Sequence, residues 1–191
     1  MKLIQTSIPD VLVIEPAVFA DERGWFMESF NDKRFHDELT KLGLSSPGSF
    51  VQDNHSCSDK GVLRGLHYQS LPHAQGKLVR VVKGAAFDVA VDIRPDSKTF
   101  GQWVGIELSA LNKKMFWVPA GFAHGFVALE DGTHFLYKTT DYYAKDCEGA
   151  IVWNDTDLGI QWPKIKGMNK YIINEKDNSA QSFSDFKANI Q

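Results

Sequence analysis

A succession of short apolar segments, separated by Gly, Pro, Asn or Asp, fills most of this 191-residue chain. The segments have the length and the β-branched and aromatic content of strands, whereas residues 31–43 carry the only clear helical repeat, with Phe35, Leu39 and Leu42 on one face. Many short strands with few helices predict an all-β fold, a sandwich or barrel of the jelly-roll kind. The expected strands cover residues 11–16, 62–69, 77–84, 87–94, 102–109, 115–119, 124–130, 133–140 and 150–153.

The length is about that of one domain, and no linker, repeat or low-complexity stretch divides the sequence. We therefore expect a single domain over residues 1–191. Residues 87–94 show the clearest alternation of apolar and polar residues. Phe87 begins the apolar face, and Asp88 and Asp92 lie on the opposite face. We expect Asp92 to be exposed to solvent. The mouth of a barrel built from such strands is a natural site for a small ligand.

The composition argues against several classes of partner. A formal net charge of −3 disfavours nucleic acid and membrane surfaces, both of which attract basic proteins. No apolar run approaches the ~20 residues of a membrane span, and the N-terminal residues lack the apolar stretch of a signal peptide. The two cysteines, Cys57 and Cys147, do not make a disulfide scaffold, so we expect a cytoplasmic protein.

Polar residues occur inside apolar strand segments. Arg64 and His67 lie within VLRGLHYQ (62–69), and Lys77 opens the next strand. A buried charge is costly without a partner, so either each residue is satisfied separately or all converge on a ligand. Because inward positions of neighbouring barrel strands meet, we favour one cavity suited to an anionic, carbonyl-bearing ligand. The same question applies to Arg23, Glu28, Gln52, Asn54, Asp88, His124 and Tyr137.

The residue types favour proton transfer at carbon. The H-x-H sequence of metal-binding cupins is missing, so we expect no metal and no cofactor, although a ligand set assembled only in three dimensions stays open. A phosphate-binding glycine loop and a G-x-S-x-G elbow are missing too. What remains is a histidine, a lysine, a tyrosine and carboxylates, which together can remove and return a proton.

Five long segments of the chain form specific motifs. They are FADERGWFMESF, FVQDNHSCSDKGVLRGLHYQ, QGKLVRVVKGAAFDVAVDIRPDSKTFGQW, LSALNKKMFWVPAGFAHGFVAL and YKTTDYYAKDCEGAIVWND. Together they resemble the dTDP-4-dehydrorhamnose 3,5-epimerase family, and the similarity runs from about residue 3 to residue 163 and weakens after Pro163. The resemblance implies a metal-free cupin jelly roll with a few short helices, a homodimer with an N-terminal dimerisation segment and a short C-terminal tail, and a role in dTDP-L-rhamnose synthesis for cell-surface polysaccharide such as O-antigen.

The same resemblance implies a reaction and the residues that perform it. The substrate would be dTDP-4-dehydro-6-deoxy-D-glucose, inverted at carbons 3 and 5 through enolates. His67 takes the position of the base, Lys77 that of the enolate stabiliser and Tyr137 that of the acid. The aspartate that supports the base aligns with Asp177 in INEKD (173–177), and Asp88 stays as the alternative.

A substrate-binding set is also implied. Arg64 matches a pyrophosphate contact, whereas Phe19 and Phe26 either flank the thymine or pack in the core. In the family the N-terminal segment reaches the site of the neighbouring subunit. The implied binding residues are Phe19, Arg23, Phe26, Glu28, Gln52, Asp53, Asn54, Arg64, Lys77, His124, Glu148 and Lys176.

Three alternatives remain at this stage. A 3-epimerase or a ketoisomerase of related dTDP-4-keto sugars would share the barrel, although the long match favours the double epimerase. A cupin that only binds a nucleotide sugar would not need His67, Lys77 and Tyr137 together. A metal-dependent cupin dioxygenase is disfavoured by the missing H-x-H sequence.

Overall fold

Two antiparallel sheets packed face to face form the body of the protein in the computed structural model, which describes residues 1–190. The all-β jelly-roll prediction is confirmed. No helix among these residues has both the length and the apolar character needed to cross a membrane. The strands are β1 (Lys2–Gln5), β2 (Leu12–Glu15), β3 (Val18–Asp21), β4 (Gly24–Met27), β5 (Gln52–Ser58), β6 (Leu63–Gln69), β7 (Lys77–Lys83), β8 (Ala85–Asp92), β9 (Trp103–Ser109), β10 (Met115–Val118), β11 (Phe122–Ala128), β12 (Thr133–Thr139) and β13 (Glu148–Ala150), and the helices are α1 (Asp32–Lys41), α2 (Glu175–Asn178) and α3 (Phe183–Asn189).

The larger sheet has six strands in the order β1-β2-β10-β7-β12-β5, and helix α1 covers part of its outer face. Asn31 caps the helix by accepting the Arg34 N–H at 3.0 Å. Phe35 and Leu39 are fully buried against this sheet, each burial being worth about 2–3 kcal/mol. The helical repeat therefore predicted both the helix and its buried face.

The smaller sheet has five strands in the order β13-β6-β11-β8-β9, and both of its faces are buried. On β8, Ala90 points into the space between the sheets, whereas Val89 and Val91 pack on the outer side against Phe183 and other residues of the C-terminal segment. The apolar face of the alternating segment therefore does not point into the barrel interior. The face that begins at Asp88 points into it instead.

The expectation that Asp92 meets solvent is wrong. Its side chain is fully buried, and it accepts hydrogen bonds from Arg94 Nη2 at 2.7 Å and from the hydroxyls of Ser97 and Thr99 at 2.6 Å each. The carboxylate organises the turn between β8 and β9, since each of its partners lies in that turn or at its start. Buried carboxylates are stable when they are paired in this way.

Strand β6 contains an irregularity that alternation alone does not predict. His67 lies opposite His124 of β11, but Arg64 lies opposite Phe126, so the two residues of β6 in between oppose a single residue of β11. The register shift falls at Gly65, whose φ is +127°. Because of this bulge, Arg64 and His67 share the inner face although they are an odd number of positions apart.

The chain after β13 crosses the outer face of the smaller sheet. Parallel bridges tie Ile172 to Val62 and Gln181 to Ile151. The predicted strand 150–153 is wrong except at Ala150, the last residue of β13, and Ile151 makes a single isolated bridge. The C-terminal segment thus takes part in the core packing of the smaller sheet.

We predict that Gly65→Ala lowers the free energy of unfolding by more than about 2 kcal/mol. A Cβ at Gly65 would lie 2.6 Å from the Gly125 Cα and 2.8 Å from the His124 carbonyl oxygen. Gly48→Ala is the matched control, because Gly48 also has a positive φ but has open space around it. Urea unfolding measures both variants, and equal losses would contradict the proposed close approach.

Candidate active site

His67 on β6 forms a hydrogen-bonded pair with Asp177 of α2. The distance between His67 Nε2 and Asp177 Oδ1 is 2.8 Å, and Asp177 Oδ2 accepts the Gly65 N–H at 3.0 Å. Asp177 is 1% exposed, whereas the imidazole is 34% exposed and therefore reachable by a ligand. Burial raises the pKa of Asp177, but the hydrogen bonds from His67 and Gly65 outweigh it, so that the pKa lies below its usual value. Asp177 is thus a carboxylate that orients the imidazole.

A second histidine–aspartate pair lies beside the first. His124 is directly opposite His67 across β6 and β11, and its Nε2 lies 2.8 Å from Asp88 Oδ1. Asp88 is fully buried, and its Oδ2 has no hydrogen-bond partner among residues 1–190. Burial raises the pKa of Asp88, and the neighbouring His124 and Lys77 oppose that rise. Between the two aspartates that the sequence left open, Asp177 contacts His67 and Asp88 contacts His124.

Lys77 at the start of β7 is a buried ammonium group. Among residues 1–190 its Nζ donates a single, long hydrogen bond, 3.4 Å, to the His67 carbonyl oxygen. Burial lowers its pKa to about 8, although the carboxylates of Asp88 and Glu148 favour the charged form. The ammonium group therefore lies among the residues of both pairs. Its pKa is close enough to neutral pH for its charge to change in mildly alkaline solution.

Tyr137 on β12 faces the same interior from the opposite sheet. Its ring lies beside Phe135, whose ring centroid is 6.4 Å away, and Phe135 is also 6.2 Å from His124. Burial raises the pKa of Tyr137, while Arg64 lowers it and Glu148 raises it further. The phenol is thus protonated at neutral pH and close to groups on both sheets.

Three further predicted residues lie on this inner side. The alternation of β5 turns Gln52 and Asn54 inward, where the Gln52 amide donates to Asn54 Oδ1 at 3.1 Å. Arg64 is exposed and donates from Nε to Ser58 Oγ at 3.1 Å, which leaves the rest of its guanidinium available. These polar groups surround the opening above His67 and Tyr137.

Asp53 points to the other side of the same strand. Its carboxylate accepts from Lys138 Nζ at 2.8 Å on the outer face of the larger sheet. The structure therefore does not bring the Asp53 side chain to the residues around His67. Strand β5 has no apolar alternation, so neither the strand nor the opposite directions of its polar side chains were predicted from the sequence.

Glu148 and Lys176 close one side of the opening. Lys176 Nζ lies 2.7 Å from Glu148 Oε2, and this contact is the main reason why the pKa of Glu148 is lowered. Tyr143 also donates to Glu148 Oε2, at 3.2 Å, and its ring is exposed. Sequence reasoning did not single out Tyr143, although the doublet in TTDYY was a signal. Gln69 holds this loop, because its Oε1 accepts the Ala144 N–H at 2.9 Å.

Four predicted binding residues lie on or next to the hairpin of β3 and β4, at a distance from this opening. Phe19 and Phe26 are paired across the hairpin and are 66% and 70% exposed. Arg23 pairs with Asp21, and Glu28 contacts Arg34 at 3.1 Å. Within one chain, these residues do not contact the groups around His67.

A cleft of about 240 Å³ lies on the outer side of the larger sheet, lined by Phe30 and Met115 among others, and Tyr137 borders it as well. It contains neither His67 nor Lys77, so we place the chemistry in the interior instead. Within residues 1–190, no group of three or more His, Cys, Asp and Glu side chains is arranged to hold a metal ion.

The interior arrangement suits the abstraction and return of a proton at carbon. His67 with Asp177 behind it is a base of fixed tautomer, because a carboxylate can only accept the Nε2–H and leaves Nδ1 free. Lys77 supplies a preorganised positive charge, and Tyr137 supplies a proton donor.

Comparison with known proteins places the chain in a well-characterised group. A sequence model described as dTDP-4-dehydrorhamnose 3,5-epimerase matches residues 5–185. A dTDP-4-dehydrorhamnose 3,5-epimerase of Shigella flexneri is 54% identical over 185 residues, which cover 97% of each chain. The crystal structure of a Legionella pneumophila dTDP-6-deoxy-D-glucose-3,5-epimerase with dTDP-4-keto-L-rhamnose superposes with a TM-score of 0.87 at 50% identity, over 95% of this chain and 92% of that one.

A more distant solved structure shows that the fold also serves a single inversion. A 3'-monoepimerase of Streptomyces bikiniensis, in complex with dTDP-quinovose, matches with a TM-score of 0.85 at 29% identity, over 96% of this chain and 89% of that one. The fold alone therefore does not separate one inversion from two.

We predict that Lys77→Met stabilises the protein at pH 7 by up to about 3 kcal/mol. The folded-state pKa of Lys77 is about 8, below its ordinary value of 10.5, so folding disfavours the charged form. Between these values the unfolded chain binds more protons, and stability should rise with pH in that window. Below pH 8 both states are charged and the full cost remains.

Denaturant unfolding from pH 7 to 10.5 measures this effect, and Lys77→Met should remove the rise. Lys83→Met is the matched control, because Lys83 is at the exposed end of the same strand. Destabilisation by Lys77→Met would show instead that the buried ammonium stabilises the fold.

Proposed function

The chain belongs to the dTDP-4-dehydrorhamnose 3,5-epimerase family and is an isomerase with that activity, and we propose that His67, Lys77 and Tyr137 divide the reaction as base, enolate stabiliser and acid. One observation carries this assignment. The His67–Asp177 pair, the Lys77 ammonium and the Tyr137 phenol, which come from both sheets and α2, face one interior.

The substrate explains why one set of residues suffices for two inversions. In a dTDP-linked 4-keto-6-deoxy-hexose, the ketone at carbon 4 acidifies the hydrogens on carbons 3 and 5. Removal of either proton gives an enolate with its charge on the same oxygen. A base on one ring face and an acid on the other can therefore invert each carbon in turn.

We assign the base role to His67. Its free Nδ1 would take the proton from carbon, while the Nε2–H stays bonded to Asp177 at 2.8 Å. The buried carboxylate stabilises the imidazolium that forms, as in other histidine–aspartate pairs. The partial exposure of the ring leaves room for the sugar above it.

Lys77 would stabilise the enolate oxygen. A preorganised charge in a water-poor site contributes a few kcal/mol to the transition state. Its pKa of about 8 keeps the ammonium charged at neutral pH, so activity should decline as pH rises through that value. His124, held by Asp88, is proposed to contact the sugar on the same side.

Tyr137 would then protonate the carbon from the opposite face. Burial, which raises its pKa, keeps the phenol in its donating form. After one inversion His67 has gained a proton and Tyr137 has lost one. The cycle closes when the imidazolium releases its proton to solvent and the phenolate recovers one, so the second inversion starts from the same state.

The nucleotide is proposed to bind at the opening of the interior. Arg64 has guanidinium nitrogens free for the pyrophosphate, to which a planar guanidinium binds in bidentate fashion. Gln52, Asn54, Glu148 and Lys176 line the same opening. Asp53 remains a proposed contact only through its backbone, because its side chain points to the other face.

We also propose a homodimer in which the hairpin of β3 and β4 completes the partner's site. Phe19 and Phe26 form an exposed apolar pair, which is costly in water and suited to a nucleobase or a second subunit. Arg23 and Glu28 lie on or next to this hairpin, away from the chain's own interior. The protein would act in the cytoplasm, where its free thiols Cys57 and Cys147 stay reduced, in dTDP-L-rhamnose synthesis for cell-surface polysaccharide.

We predict that incubation with dTDP-4-keto-6-deoxyglucose in heavy water places deuterium on both carbons 3 and 5. His67→Ala should abolish exchange at both carbons, because no base remains. Tyr137→Phe should reduce net inversion far more than loss of the carbon-bound hydrogen. NMR of the sugar reads both quantities. Label at one carbon alone would indicate a monofunctional 3-epimerase, and wild-type exchange in His67→Ala would disprove the base assignment.

A mixing experiment tests the shared site. The two parent variants, His67→Ala and the double variant Arg23→Ala with Phe26→Ala, should each be inactive or weakly active. After the two are unfolded and refolded together, roughly a quarter of the sites should be intact, because each mixed dimer has one unaltered site. Each variant refolded alone is the control. Absence of regained activity, with dimers present, would show that the hairpin serves its own chain.

A further inference from the structure

The segment that carries Asp177 is bonded to β6 at two points. Upstream, the Leu63 N–H donates to the Ile172 carbonyl at 2.9 Å. Downstream, Gln181 Nε2 donates to the Tyr68 hydroxyl at 3.0 Å. Residues 173–180 therefore cross the back of His67 as a short span whose ends are fixed and whose middle includes the single turn of α2.

A one-turn helix is not stable by itself, because nucleation fixes several residues for one hydrogen bond. In α2 a side-chain cap contributes to that stability. Asn174 Oδ1 accepts the Asp177 N–H at 2.7 Å, so the cap bonds to the same residue that holds His67. The Asn174 side chain is exposed, and this is the one hydrogen bond that it makes within residues 1–190.

We propose that Asn174 is a positioning residue for the catalytic base, acting through Asp177. Its carboxamide fixes the backbone of Asp177, whose carboxylate fixes the Nε2–H tautomer of His67. This inference rests on the proposed role of His67 as the base. Lys176, on the same turn, gains its contact with Glu148 from the same constraint.

The experiment replaces Asn174 with alanine. Loss of an N-cap should let α2 unwind part of the time and lower kcat about fivefold. In the 15N NMR spectrum of the histidine-labelled enzyme, the His67 signals should move away from the pure Nε2–H pattern. Asn174→Ser should restore both kcat and the tautomer, because serine caps helices about as well as asparagine.

A matched control comes from the next helix of the same segment. Ser182 caps α3 by accepting the Asp185 N–H at 3.0 Å, but α3 carries no residue of the site. Ser182→Ala should lower thermal stability to a similar extent as Asn174→Ala and should leave kcat and the His67 tautomer unchanged. Equal effects of the two variants on kcat would show that the loss of a cap acts only through stability.

A double variant tests whether Asn174 acts through Asp177. In an Asp177→Asn background, Asn174→Ala should have almost no further effect on kcat, because coupled residues are not additive. A full additional loss would overturn the proposal. His67→Ala, measured alongside, separates the two hypotheses. If His67→Ala keeps wild-type turnover, the base assignment fails. If His67→Ala is inactive but Asn174→Ala has the kcat of the wild type, only the role of Asn174 is refuted.

Discussion

The bulge at Gly65 in β6 is the constraint on which the site depends. A regular strand would turn Arg64 and His67 to opposite faces, because they are separated by an odd number of positions. The extra residue brings both to the inner face and leaves the Gly65 N–H free to bond Asp177. One local irregularity thus orients the base, supplies an anchor for its carboxylate and leaves the arginine at the opening. Only glycine fits there, since the backbone of β11 passes within contact distance.

The interior pairs most of its polar groups and leaves one charge poorly compensated. His67 with Asp177 and His124 with Asp88 are two adjacent pairs, each held at 2.8 Å. In the part of the chain that the structure describes, Lys77 makes only a long contact with a carbonyl oxygen, and burial lowers its pKa. An ammonium group without a close counterion is a poor stabiliser of a fold but a good one for an oxyanion that appears during a reaction. Stability and catalysis therefore have opposite requirements at this residue.

The C-terminal segment has two functions, and the sequence indicated only the second of them. It covers the outer face of the smaller sheet with Phe183 and Phe186, and it places Asp177 in hydrogen-bond contact with His67. The two functions are linked, because hydrogen-bonded anchors on β6 fix both ends of the span that presents the carboxylate. The site is therefore complete only after residues far apart in the chain have packed together.

The sequence by itself determined the strand-rich fold, helix α1 with its buried face, and the residue types of the site, because periodicity and motifs are local. The family resemblance also implied Asp177, but the choice between Asp177 and Asp88 could not be made from it. Only the tertiary structure decided which aspartate holds which histidine, that Asp92 is buried, and that Asp53 points away from the interior. Each of these depends on strand register or on a contact such as that of His67 with Asp177, 110 residues apart, and no local pattern encodes which distant groups will meet.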